Sequence, residues 1–194
     1  MQLISRIWLR TRRFATDRNG VAAIEFAMLV PIMLVMFFGT VELSSGVAVD
    51  RKVNLMARTL SDLTSQNQSV TSVQLTNFFN ASNAILTPYS PTPTHSTITE
   101  LYVDPTTLKA RVQWSIGSAP RSVSSTVGIP TALAIGSTYL IMGEVSYLYV
   151  PTVGYVMSKS GITLTSTAYT RPRQSTCVIY PTPTSGALPA CPTS

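Results

Sequence analysis

The chain has 194 residues, enough for one domain plus an anchor but crowded for two. Only 11% of them are charged, against roughly 25% in soluble domains, and Ser, Thr and Pro are abundant, a composition closer to envelope or extracellular proteins than to cytosolic enzymes. The formal charge of +6 is concentrated before residue 21, where five arginines face one aspartate, while the remainder carries nine basic against seven acidic residues. No basic stripe interleaved with aromatics follows, so no nucleic-acid partner is expected.

Residues 1–20 form a basic leader, the kind of flank that holds an N-terminus in the cytoplasm. Residues 21–41 are apolar except for Glu25 and Thr40, about the 20 residues a helix needs to cross a hydrocarbon core. The transmembrane helix is placed at residues 21–43. A signal peptide has a shorter apolar region and rarely a charge inside it, and Gly46-Val47-Ala48 is a weak small-residue cleavage site. Arg12-Arg13 stands too far from the apolar run for a convincing twin-arginine signal.

Beyond the span, Val49, Val53, Met56, Leu60 and Leu63 recur at helical spacing, with Asp50, Arg51, Lys52, Arg58 and Asp62 on other faces. One helix is therefore expected from residue 21 to about 65, leaving the membrane and laying an apolar stripe on a folded domain at residues 44–176. Ser44, Ser45 and Gly46 are where it is expected to bend or fray. Thr71-Ser72-Val73-Gln74 has the form of a capping box opening a second helix. Val73, Phe78, Phe79 and Ile85 are expected on its buried side, and Thr87-Pro88 at its end. Residues 89–96, rich in proline, are expected to be an extended linker.

The period then changes to two. Leu108, Ala110, Val112, Trp114 and Ile116 alternate with polar residues, predicting a half-buried strand, and residues 98–103 pair with it through the turn Asp104-Pro105-Thr106-Thr107. Residues 139–150 and 162–170 predict a third and a fourth strand, and residues 117–136 a loop with room for a short edge strand. The fold class expected is α+β, a long N-terminal helix packed on a small antiparallel sheet.

Catalytic groupings are sparse. The one histidine, His95, falls in the proline-rich linker, where a solvated loop residue is expected rather than a catalytic base. Glu144 alternates with Leu140, Met142 and Leu148, on what is expected to be the less buried face of its strand, which favours a structural role. There is no phosphate-binding Gly loop, no Cys-x-x-Cys and no Glu-x-x-His helix, so neither an enzyme nor a cofactor is expected. Cys177 and Cys191 lie in a Pro-rich C-terminal tail, residues 177–194. On an extracytoplasmic tail a disulfide is the natural reading, with two free thiols as the alternative. With His95 they are too few for a four-ligand zinc site.

A carboxylate in a membrane span is a functional candidate by default, because burying it costs about 2.5–3.5 kcal/mol at the bilayer centre. The leader ends in Gly20, and Val21-Ala22-Ala23-Ile24-Glu25-Phe26 opens the apolar helix, which resembles the type IV pilin class of prepilins. More narrowly, "GVAAIEFAMLVPIML", with Glu25-Phe26 and Pro31 at this spacing, is similar to the TadE/TadG-like pseudopilins of Tad (Flp) pilus systems.

The resemblance implies a minor pseudopilin cut by a prepilin peptidase between Gly20 and Val21, with Glu25 pairing with the new α-amine of a neighbouring subunit. It implies a single pass through the bacterial inner membrane, N-terminus in the cytoplasm, and a role in pilus assembly, adherence or related secretion. The implied partners are the peptidase, other pilins and pseudopilins, and the inner-membrane assembly platform. Pro31 removes one helix hydrogen bond, a defect that neighbouring helices compensate in membranes. The competing expectation is a permanently anchored envelope domain that binds a ligand or surface without processing.

Overall fold

The computed structural model describes residues 19–151, 161–182 and 188–193. The basic leader as far as Arg18 lies outside the described residues, as do residues 183–187 of the tail.

Helix α1 (Asn19–Ser65) is unbroken, 47 residues long with Pro31 inside it, or roughly 70 Å at the α-helical rise. Val49, Val53, Met56 and Leu60 are fully buried and Leu63 half-buried, as their spacing predicts. The helix does not fray at Ser44, Ser45 and Gly46. Gly46 instead faces Tyr149, whose ring a Cβ there would meet at 3.6 Å, an ordinary van der Waals contact.

Helix α2 (Ser72–Ala84) opens with the predicted capping box: the Thr71 hydroxyl accepts from Gln74 N–H, and the Gln74 side chain accepts from Thr71 N–H. Its buried side differs from expectation. Val73 is 70% exposed, while Leu75 and Leu86 are buried and Phe78, Phe79 and Ile85 pack partly against the core. Val73 lies in the first turn and faces outward; residues 75, 78, 79, 82 and 86 are the ones that recur along one side. Lys52 of α1 donates to the carbonyls of Ile85 and Thr87 at 2.8 and 2.7 Å, tying the end of α2 to α1.

The sheet is antiparallel throughout, with β1 (Thr94–Val103), β2 (Ala110–Gly117), β3 (Thr126–Val127), β4 (Thr138–Tyr149) and β5 (Ile162–Thr170) in the order β3-β2-β1-β4-β5. With α1 and α2 against one face, this is the expected α+β arrangement. The predicted turn is present, Asp104 Oδ1 accepting from the N–H groups of Thr106 and Thr107. The predicted linker is shorter than expected, because β1 already begins at Thr94. His95 is exposed, but it sits on that strand opposite Ser146 and not in a loop.

Strand β2 departs from simple alternation. A bulge between Glu100 and Leu101 leaves Gln113 as an extra residue, so Trp114 pairs with Glu100 and Val112 with Leu101. Trp114 and Ile116 therefore face the helices, while Ala110 and Val112 turn to the other face. Leu108, expected to open the strand, has φ of 54° and lies 49% exposed in the turn.

Two cores result. The inner one joins α1 and α2 to Ile98, Trp114, Ile141, Val145, Tyr147 and Tyr149. The outer one gathers Leu101, Val103, Ala110, Val112, Leu140 and Met142 beneath Val127, Ile129 and Leu133. Gly143 sets the distance between helix and sheet, for a Cβ there would stand 2.5 Å from the Ala57 carbonyl oxygen and 3.2 Å from Ser61 N. Both are backbone atoms that cannot step aside. Gly143→Ala is expected to cost about 1–3 kcal/mol through overpacking, read as a lower denaturant midpoint with an unchanged slope.

Candidate membrane and assembly site

The N-terminal part of α1 extends beyond the sheet. Its most apolar window has a mean hydropathy of 2.4, and none of that window is buried within the chain. Val21 is 55% exposed, Phe26 65%, and Gly20, Glu25 and Pro31 are exposed as well. Val21 and Glu25 are four residues apart on a continuous helix, hence on one face and about 6 Å apart along the axis. The Thr40 hydroxyl donates to the Met36 carbonyl at 2.8 Å, which satisfies it within the helix.

Contact with the sheet begins at Glu42, only 2% exposed. From there the register of α1 against the sheet is clear. Gly46 meets Tyr149, Asn54 Oδ1 accepts from the Ser166 hydroxyl at 2.8 Å, and the hydroxyls of Ser61 and Thr170 are 2.9 Å apart. The end of the sheet formed by Tyr149 and Ile162 is thus nearest the apolar span, and the end formed by Val103, Thr138 and Thr170 is farthest from it.

Residues 20–60 match a family model described as TadE-like protein. This segment is similar to TadE-like proteins. The match covers α1 from the residue after Asn19 nearly to its end, and stops before α2 and the sheet. No curated protein and no solved structure matches the chain. Among the described residues α1 is the one helix long and apolar enough to cross a membrane, which fits a single-pass membrane protein.

The TadE-like helix carries its domain together with a tail clasp. Cys177 and Cys191 are disulfide-bonded, their Cα atoms 5.8 Å apart, and pack with Tyr102, Tyr139 and Ile179. Val178 is buried; its N–H donates to Glu100 Oε1 at 2.6 Å and its carbonyl accepts from the Trp114 indole N–H at 2.8 Å. Ile179 exchanges backbone hydrogen bonds with Gln68 and Val70, and the Tyr139 hydroxyl donates to the Pro192 carbonyl at 2.8 Å. Burial pushes the Tyr139 phenol up to about 12, with Tyr102 and Glu100 adding to the shift. Reducing the disulfide is expected to cost about 3 kcal/mol in the chain-entropy model, given the separation of 14 residues; comparing urea midpoints with and without reductant measures it.

Two carboxylates escape a sequence reading that follows the membrane run. Glu42 is covered where the helix meets the sheet. Glu100 is fully buried, and desolvation raises its carboxyl to about 8, against the lowering effect of the Val178 N–H and the Trp114 indole. The signal for Glu100 was present: alternation in "TITELYV" places it with Ile98 and Tyr102 on the inward face of β1. Glu144 forms a bidentate pair with Arg121 at 2.6 and 3.2 Å; the face it shares with Leu140 and Met142 is not the less buried one expected, since both are buried in the outer core. Among the described residues no group of His, Cys, Asp and Glu is arranged to hold a metal ion.

Proposed function

We propose that this chain is a minor pseudopilin of a Tad-type pilus, cut between Gly20 and Val21 and assembled through Glu25, with a structural rather than a catalytic role. The observation that carries the reading is the TadE-like match itself, which opens at Gly20 and runs along an apolar helix exposed within the chain, with Glu25 one turn beyond Val21.

Cleavage would give Val21 a free α-amine, with a pKa of about 7.7–8.0 in water and therefore mainly protonated. In the bilayer a bare Glu25 is costly, and a neighbouring subunit's amine offers the compensating charge. Glu25 would then fix the axial register between subunits, with Phe26 packing beside it and Pro31 loosening one helical turn. The prepilin peptidase, other pilins and the inner-membrane platform are the partners this role requires, and the sheet domain would lie outside the cytoplasm, where the disulfide persists.

N-terminal sequencing of the protein isolated from its native membrane tests the reading. A start at Val21 supports it; retention of residues 1–20 would replace it with a permanently anchored envelope domain.

A further inference from the structure

We infer that the end of the sheet nearest α1's apolar span is itself a lipid-contacting surface, seated in the headgroup layer of the bilayer. The inference rests on α1 crossing the membrane once, and adds a second point of contact made by the folded domain.

The argument begins with lengths. Residues 20–41 make a helix of about 33 Å, which fills a hydrocarbon core of about 30 Å; the headgroup layers add about 5–7 Å on each side. Leu43 and Val47 then stand about 3 and 9 Å past Val41 along the axis, within or just above the headgroup layer. Gly46 lies between them and packs against Tyr149, so the end of β4 is held at the same depth.

The surface at that depth is apolar. Leu43 is 60% exposed, Val47 47%, Leu148 41%, Val150 54% and Ile162 37%. Leu43, Gly46, Val47, Tyr149, Ile162 and Leu164 line one groove along the flank of α1, with Asp50 as its one charged residue, two turns of helix beyond Leu43 and so on the side away from the span. In water such a rim is unfavourable, and it continues the exposed span along α1 through Val41, Leu43 and Val47; beside them Thr40 and Ser44 are exposed but uncharged, and the carboxylate Glu42 is buried. A bilayer is the occupant that continuity with the span selects, because apolar side chains at the headgroup boundary gain burial as interfacial helices do.

The test uses the full chain in phosphatidylcholine vesicles, disulfide intact, with an environment-sensitive fluorophore on a single introduced cysteine. Val150→Cys reports the proposed surface, Thr126→Cys the opposite end of the sheet, and Met33→Cys the middle of the span. At position 150 the expected result is blue-shifted emission, several-fold stronger quenching by lipid-borne nitroxide than at position 126, and protection from aqueous iodide. Equal iodide quenching at 150 and 126, with nitroxide quenching at 33 only, would overturn the second contact while leaving the span in place. Absence of nitroxide quenching at 33 would remove the span, and the inference with it.

Discussion

If the chain is the processed pseudopilin proposed above, replacing Glu25 with alanine is expected to leave membrane insertion and the cut after Gly20 intact and to abolish co-purification with the other pilins. Insertion is unharmed because the substitution removes a charge from an apolar run. The cut is unharmed because Gly20 and Val21 are unchanged. Under the proposed pairing association is expected to be lost because nothing then meets the Val21 amine, and breaking a buried pair by removing one partner costs about 3–5 kcal/mol, a factor of about 150 to several thousand in affinity. Glu25→Gln keeps the shape and a hydrogen-bonding group without the charge, and should fail with alanine if the charge is what matters. Affinity capture from detergent-solubilised membranes, with the N-terminus of the captured chain sequenced, reads all three outcomes together. Undiminished capture with Glu25→Ala would refute the register role.

The second large effect is on stability against pH. Glu100 has its carboxyl raised from 4.5 to about 8 in the folded chain, chiefly by burial. The folded state therefore holds a proton that the unfolded state releases over the interval between those values. Stability from this source is fully present below about pH 4.5 and is lost as the pH rises toward 8. The full swing is on the order of 3–5 kcal/mol at 1.36 kcal/mol per pKa unit. Glu100→Gln keeps an acceptor for the Val178 N–H without a titrating group, so its urea midpoint should be nearly level across this interval while the native chain's falls. Parallel slopes for the two proteins would count against this account. Glu100→Ala should be weaker at every pH, because the Val178 N–H then loses its acceptor in a dry site.

The elements with strong periodicity were legible in the sequence. The stripe Val49, Val53, Met56 and Leu60 is buried as its spacing requires, and the Thr71 capping box starts α2 where its residues place it. The alternation of residues 162–170 marks β5 with its observed ends. The readings that failed depended on contacts far apart in the chain. The bulge opposite Glu100 and Leu101 sends Ala110 and Val112 to the face opposite Trp114, although all three share one period in the sequence. Proline near residues 91–93 suggested a linker running past His95, but pairing with β4 organises the chain from Thr94. Val73 was assigned to the buried side of α2 because it is apolar, yet the helix turns Leu75 inward.

The candidate site was legible for a different reason. Glu25 stands out as the one charge within a long apolar run, so solvation energetics alone single it out. Glu100 is ordinary in composition and becomes notable only when the tail closes over it. Its partner, the Val178 N–H, lies on a segment far away in sequence that no local pattern connects to β1.

The unbroken course of α1 has a mechanical consequence. Between the exposed span and the sheet there is no joint, and Gly46, Asn54 and Ser61 fasten the helix to the domain at successive levels. Such a helix acts as a stiff rod with the sheet as its head: drawing it out of the bilayer by one residue lifts the domain by about 1.5 Å, and a turn of the rod about its axis swings the domain through the same angle. An assembly machine that grips only the span would thus control both the height and the heading of everything the chain presents outside.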